Sequence, residues 1–265
     1  MKRLGLLMMA VVIASTARAE NTTKILDCMR SNVPPTLRIQ EIEFDATDRS
    51  GGTRVLRGRV YTLLEKTSSG GGLVRAMLKI SEPSQFAGAS YLVRETEDYL
   101  NEGMYVFLPS VNRVRRVSGT FADGALLGTN FSYNDFKQLQ NAFVGSSAQL
   151  ESTGKIEERP VNVMLFKPIP APNAQPARYN LVRTWVDTKS CMPLKADFYE
   201  GEKVRKQLTA SPDALQKSGD YWYLSQVEMR DLVEGTKTTL KVLGVTAGHE
   251  LPGTYFNPQL FYLNK

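Results

Sequence analysis

The chain carries one histidine, His249, and two cysteines, Cys28 and Cys191, and these few residues bound its catalytic chemistry. His249 lies in Gly248-His249-Glu250-Leu251-Pro252, a segment that reads as a loop. A single imidazole excludes paired-histidine sites and histidine-based metal clusters. No G-x-S-x-G elbow supplies a serine nucleophile, and a Cys–His pair lacks its thiol if the cysteines are bridged. Neither a Walker A loop nor a dinucleotide fingerprint occurs. The neighbouring carboxylates Glu157-Glu158 read as solvated charges at a strand end rather than as an acid–base pair. No catalytic residue, metal ligand or cofactor site is therefore predicted. A binding protein is expected rather than an enzyme, and a lipid-acting enzyme built on His249 is the least supported reading.

Two other groups could do chemistry of a different kind. Arg113, Arg115 and Arg116 crowd one short stretch, with Arg113 and Arg115 on one side of a strand and Arg116 on the other. They are either a charged edge strand that discourages aggregation or a contact for an anionic headgroup or acidic partner. Cys28 and Cys191 read as a disulfide in an oxidising compartment, the alternative being two separate buried thiols. A bridge would tie the N-terminal segment to a strand 163 residues further on, worth about 4–5 kcal/mol before native strain is subtracted.

The oxidising compartment follows from the N-terminus. Lys2 and Arg3 precede an apolar run from Leu4 to Ile13, and Ala14-Ser15-Thr16-Ala17-Arg18-Ala19 follows it. This is the pattern of a signal peptide covering residues 1–19, cleaved after Ala19. A retained anchor is the competing reading, but the run falls short of the roughly 20 apolar residues a spanning helix needs. No cysteine near the cleavage site offers itself for lipidation, so a protein free in the periplasm is expected. Cleavage would remove three of the 33 basic residues and none of the 27 acidic ones, leaving +3 (30 − 27). Nucleic-acid binding is not implied.

The elements that must position these groups are mostly strands. Residues Thr22–Asn32 predict a short helix with Ile25, Leu26 and Met29 on one face, ended by Pro34-Pro35. Strands are predicted at Thr36–Asp48, Arg54–Lys66, Leu73–Ser81, Ser90–Glu97, Gly103–Leu108 and Asn112–Ser118, separated by turn-rich stretches. A helix over Asn134–Val144, capped by Asn134 or Asp135, places Phe136, Leu139, Gln140 and Phe143 at helical spacing. Strands resume at Thr153–Lys167, Tyr179–Asp187, Leu194–Glu200, Lys203–Ala210, Tyr221–Asp231 and Lys237–Thr246, with a proline-rich loop over residues 168–173 between the first two. About eleven strands and two or three helices in one domain, residues 20–265, argue for a mostly-β antiparallel meander.

Several strands carry apolar groups on both faces, which a sheet with one wet face should not. Val74, Leu78 and Ile80 share a face, as do Met104, Val106 and Leu108, yet Met77, Tyr105 and Phe107 oppose them; Trp185 and Phe198 add large rings. Either the sheet curves around a solid core or part of its interior is an apolar cavity. On the second reading Val74, Leu78, Ile80, Met104, Val106, Leu108, Trp185 and Phe198 line that cavity.

The run Met77–Pro83, then Ser90–Glu95, then Met104–Pro109 with Arg113–Arg116 behind it resembles the LolA-like outer-membrane lipoprotein-sorting proteins. Gly128-Thr129-Asn130-Phe131-Ser132-Tyr133-Asn134-Asp135 and Met192-Pro193-Leu194-Lys195-Ala196-Asp197-Phe198-Tyr199 bring it nearer to a subfamily of larger periplasmic relatives. The resemblance spans most of residues 24–263. It implies a bent antiparallel sheet forming an unclosed half β-barrel, with a helical lid in its mouth. It also implies carriage of lipid or lipidated protein, with an inner-membrane exporter of the resistance-nodulation-division type and an outer-membrane acceptor as partners. No catalytic residue is implied, and a monomer is expected. The lid would comprise Ile25, Leu26 and Met29 from one helix and Phe136, Leu139 and Phe143 from the other, with the Cys28–Cys191 bridge pinning the first and leaving the second to move. A non-carrier adaptor presenting Arg113–Arg116 is the alternative.

Overall fold

The computed structural model describes residues 20–68, 71–98, 103–169, 176–248 and 251–264. The predicted signal peptide and His249 lie outside these residues, as does most of the proline-rich loop. No helix among the described residues is long and apolar enough to cross a membrane.

Six strands open the chain as a meander: β1 (Arg38–Thr47), β2 (Thr53–Lys66), β3 (Gly72–Glu82), β4 (Ser90–Arg94), β5 (Gly103–Leu108) and β6 (Arg113–Arg116). A second set follows, β7 (Ser146–Ile156), β8 (Arg159–Pro168), β9 (Leu181–Asp187), β10 (Pro193–Glu200) and β11 (Lys203–Thr209). After a small hairpin, β12 (Leu215–Ser218) and β13 (Tyr221–Leu224), come β14 (Gln226–Asp231) and β15 (Thr236–Ala247). All but the small hairpin join one antiparallel sheet, ordered β6-β5-β4-β3-β2-β1-β15-β14-β11-β10-β9-β8-β7. The end strands β6 and β7 do not pair with each other, so the barrel is unclosed.

Bulges bend this sheet. The register slips at Arg57/Gly58 between β2 and β3 and at Glu41/Ile42 between β1 and β15, and such slips increase local twist and curvature. Gly58 is required at the first: a Cβ there would sit 2.2 Å from the Lys79 carbonyl oxygen.

Two predicted strands are each two elements. Thr153–Lys167 is the end of β7 and most of β8, joined by a tight turn at Glu157 (φ 51°). The Glu157-Glu158 pair is therefore at a hairpin tip. Tyr221–Asp231 breaks at Ser225 into β13, which leaves the sheet, and β14, which stays in it.

The doubly apolar strands have a physical cause that the sequence reading missed. The C-terminal segment, residues 251–264, lies over the convex face of β1–β6. Phe261 is fully buried there among Leu37, Tyr61, Met77 and Leu92. Tyr262 stacks on Phe107 with ring centroids 4.3 Å apart, and Tyr255 meets Tyr61 at 5.2 Å. Met77, Tyr105 and Phe107 thus serve a second core outside the barrel, while Leu78, Ile80 and Val106 serve the one inside.

A candidate ligand cavity under the helices

The concave face is covered by three pieces of chain. The first, α1, is helical over residues 20–30, and its Met29, Ile25 and Leu26 pack on Phe166, Met164 and Val186 of the sheet. It is tied down at two well-separated places. Cys28 is bridged to Cys191, in the loop between β9 and β10. Arg30 pairs with the buried Glu95 just past β4 and donates to the Gly72 carbonyl at 2.5 Å, while Glu95 also accepts from the Val74 amide at 2.7 Å. Asn32 extends the tether, donating to the Ser190 carbonyl at 2.7 Å and accepting from the Trp222 amide at 3.0 Å.

The loop that holds Cys191 is built on Asp187. Its carboxylate is fully buried and accepts from Arg159 Nε at 2.7 Å and from the Ser190 amide and hydroxyl at 2.7 Å each. Burial raises the affinity of this carboxyl for a proton, but the bonds from Arg159 and Ser190 outweigh it and hold the pKa down to about 2. A depressed carboxylate contributes stability above its unfolded pKa and loses it as the pH falls towards its folded one. Acid titration should therefore loosen the Cys191 loop between about pH 4 and pH 2. Asp187→Asn should cost about 2–3 kcal/mol at pH 7 and flatten that limb of the stability profile, measured by urea unfolding across pH. The bridge itself is testable in the same way. A Cys28→Ser/Cys191→Ser chain should lose up to about 5 kcal/mol.

The second piece, α2 (Tyr133–Asn141), starts at a capping box. Ser132 accepts from the Asp135 amide at 3.0 Å, and Asp135 accepts from the Ser132 amide at 2.7 Å. The cap is thus Ser132, two residues before Asn134 and three before Asp135, the two predicted caps. Asp135 is instead the third helical residue and pairs with Lys206 of β11, both side chains being buried. Asn130 adds hydrogen bonds to Thr236 and Thr238 of β15. Gly128 (φ 75°) lets the preceding turn approach Arg54, whose Nη2 donates to its carbonyl at 2.8 Å. The whole run 128–135 is therefore an anchor for the start of α2. The far end is less well satisfied. Ala142 and Phe143 both take left-handed backbone, so the helix stops before Phe143. Asn141 is fully buried with neither side-chain polar atom hydrogen-bonded, and Gln138 Oε1 is in the same position.

The third piece is the β12–β13 hairpin. Together the three pieces form the walls of a partly open cavity of about 120 Å³ against β1, β2, β14 and β15. Met29, Phe136, Leu139 and Phe143 face it from above; Ile42, Val60, Val227 and Leu240 floor it; Trp222 and Leu224 close it from the hairpin. A second cavity, about 260 Å³, lies at the seam between the ends of the sheet, lined by Met104, Phe198 and Phe166 but also by Arg116, Asp123, Asp135 and Lys137. Burial, with Asp135 nearby, lifts the Asp123 carboxyl above its usual range.

A family model described as "-like: Uncharacterized protein" matches residues 72–262. The chain belongs to this family. No curated protein matches. Among solved structures, a putative outer membrane lipoprotein-sorting protein domain from Vibrio parahaemolyticus aligns with a TM-score of 0.78 at 19% identity, covering 92% of this chain and 99% of that one. A DUF1329 family protein from Desulfovibrio piger aligns with a TM-score of 0.77 at 18% identity, covering 88% and 95%. A LolA superfamily protein from Nitrosomonas europaea aligns at 0.67 and 18% identity, covering 89% and 97%. The fold is LolA-like, as the sequence resemblance implied.

Within this LolA-like fold the predicted lid residues come together: Met29, Phe136, Leu139 and Phe143 meet over one cavity, with Ile25 and Leu26 packed beside Met29. The predicted lining is elsewhere. None of Val74, Leu78, Ile80, Met104, Val106, Leu108, Trp185 and Phe198 lines the cavity under the helices; Met104 and Phe198 line the seam cavity. Over β3–β5 the concave face is solid, because Ala122, Leu126, Phe131 and Tyr133 from the chain between β6 and α2 pack onto Val74, Leu78, Ile80 and Val106, with Leu108 at the margin. Trp185 alternates to the side opposite Val182 and Val186, beneath Arg183 and Lys195, whose charged groups lie 5.1 and 4.3 Å from its ring. Arg113, Arg115 and Arg116 form the exposed edge strand β6, and among the described residues they make no ion pair.

The residues that sequence reasoning missed are those on β1. Arg38, Gln40, Ile42 and Phe44 alternate with Glu41 and Glu43, and their period of two was readable. The first three line the cavity.

Proposed function

We propose that this protein carries an acyl-bearing molecule through the periplasm, after export by the predicted signal peptide, with the cargo displacing the apolar side chains that now fill the concave face. The observation that supports this most is the convergence of Met29 of α1, Phe136 and Leu139 of α2, and Phe143 just beyond α2 on one largely apolar cavity. At about 120 Å³ that cavity is smaller than the roughly 300–1,000 Å³ of ordinary ligand sites, as expected if the cover supplies the missing volume when no cargo is bound. Need for a carrier follows from the transfer energy: each CH₂ moved into water costs about 0.8 kcal/mol, so a long acyl chain cannot cross unaided. A pocket that closes on its own side chains also lets cargo leave, because empty protein does not expose bare apolar surface. The fold neighbour titled as a lipoprotein-sorting protein domain agrees with this reading.

The same small cavity favours a second reading, a filled β protein that works as an adaptor through the free edges β6 and β7. Mass spectrometry of protein isolated from its native envelope without detergent separates the two. About one acyl-bearing molecule per chain is expected for the carrier. Protein free of lipid, recovered with a stoichiometric protein partner, would favour the adaptor.

A further inference from the structure

We propose that the cavity selects amphiphiles whose head is a compact anion, a carboxylate or a phosphate ester, held by Arg38; this rests on the carrier reading. Arg38 is 8% exposed and lines the cavity. One Nη donates to the Asn32 carbonyl at 3.2 Å, and this is the only side-chain hydrogen bond Arg38 makes among the described residues. Its Nε is buried and has no acceptor. No carboxylate among the described residues pairs with it. The acids on its own strand, Glu41, Glu43 and Asp45, alternate to the other side, where Glu41 pairs with Arg59 and Glu43 with Arg57 and Lys241.

Several other deeply buried charges among the described residues are matched. Glu95 has Arg30, Asp187 has Arg159, and Asp135 has Lys206. An unmatched guanidinium in an apolar wall is unfavourable until an anion arrives. Burial accordingly lowers its pKa to about 10, with Tyr223 acting in the opposite direction. Arginine's planar fork suits carboxylate and phosphate oxygens alike. The strand supplies the rest of an amphiphile's outline. Along the concave side of β1 the side chains run Arg38, Gln40, Ile42, from charged to polar to apolar. At about 3.3 Å per residue this gradient extends roughly 13 Å. A head at Arg38 therefore directs a tail towards Ile42, Val60 and Leu240.

Four probes test this by calorimetric titration: dodecanoate, dodecyl phosphate, dodecanol and inorganic phosphate, each against wild type, Arg38→Gln and Arg38→Lys. Wild type should prefer at least one anionic probe to dodecanol by tenfold or more, and whichever anion binds tighter identifies the head. Arg38→Gln should reduce that preference below threefold while leaving dodecanol affinity unchanged, and Arg38→Lys should retain part of it. Equal binding of acid and alcohol by wild type, or a preference that survives Arg38→Gln, would overturn the assignment and leave the carrier reading standing. Inorganic phosphate binding as tightly as dodecyl phosphate would also overturn it. Failure of every twelve-carbon probe to bind would instead overturn the carrier reading. Should Arg38→Gln not fold, the wild-type head comparison together with Arg38→Lys decides.

Discussion

A Phe136→Ala protein should be less stable by about 3–4 kcal/mol and yet bind a fluorescent acyl probe at least tenfold more tightly. The stability loss follows from burial: the ring is 4% exposed and packs edge-on against Tyr91 at 5.6 Å. The gain in binding follows from the proposed exchange of side chain for cargo. While Phe136 occupies the concave face it competes with a ligand, and the open state is only a fraction of the population, which reduces apparent affinity by that fraction. Removing the ring enlarges the cavity and removes the competitor. Denaturant unfolding and probe titration on one preparation give both numbers. A residue that is merely core would show the first effect without the second.

The second large effect concerns the anchor of α2. Lys206→Met leaves the Asp135 carboxylate buried with its cation gone, and should cost about 3–5 kcal/mol. Asp135→Asn together with Lys206→Met should recover most of that loss, because the asparagine oxygen can still accept from the Ser132 amide. A double-mutant cycle in urea reads the coupling between the two positions. Strictly additive losses would contradict the picture of a matched pair. The pair also bears on motion. With the start of α2 held to β11 and β15 and its last turn carrying the unsatisfied Asn141 and Gln138, the helix is fixed at one end and under-satisfied at the other. On the proposed carrier reading, cargo entry moves the stretch that follows this anchored start, from Phe136 through Leu139 towards Phe143.

Much of this molecule is visible in its residues, for identifiable reasons. The first six strands are legible because short apolar runs alternate with glycine- and serine-rich turns. The two cover helices are legible because their apolar residues keep a helical spacing. The β7–β8 turn is not, since Glu157 adopts left-handed backbone without a glycine to announce it. The β13–β14 break is hidden because a single serine interrupts an otherwise strand-like run. The position of the cavity was misplaced for a different reason. Periodicity finds buried faces, but only tertiary packing decides which part of a face is filled by Phe131 and Tyr133 and which part is left open. Likewise the aromatic strand β5 suggested a cavity, whereas its outer face belongs to the C-terminal segment around Phe261. Arg38 is the reverse case: a charged residue in register with Ile42 and Phe44 breaks the alternation, and that irregularity points to the proposed head site.

The most direct test is amide hydrogen exchange during titration with a saturated-chain acyl probe. Exchange should quicken in α2, Tyr133–Asn141, with a midpoint at one probe per chain, while the protection of β1, β2 and β15 stays as it was or rises. Saturating probe that leaves α2 unchanged would contradict the displacement of side chains by cargo.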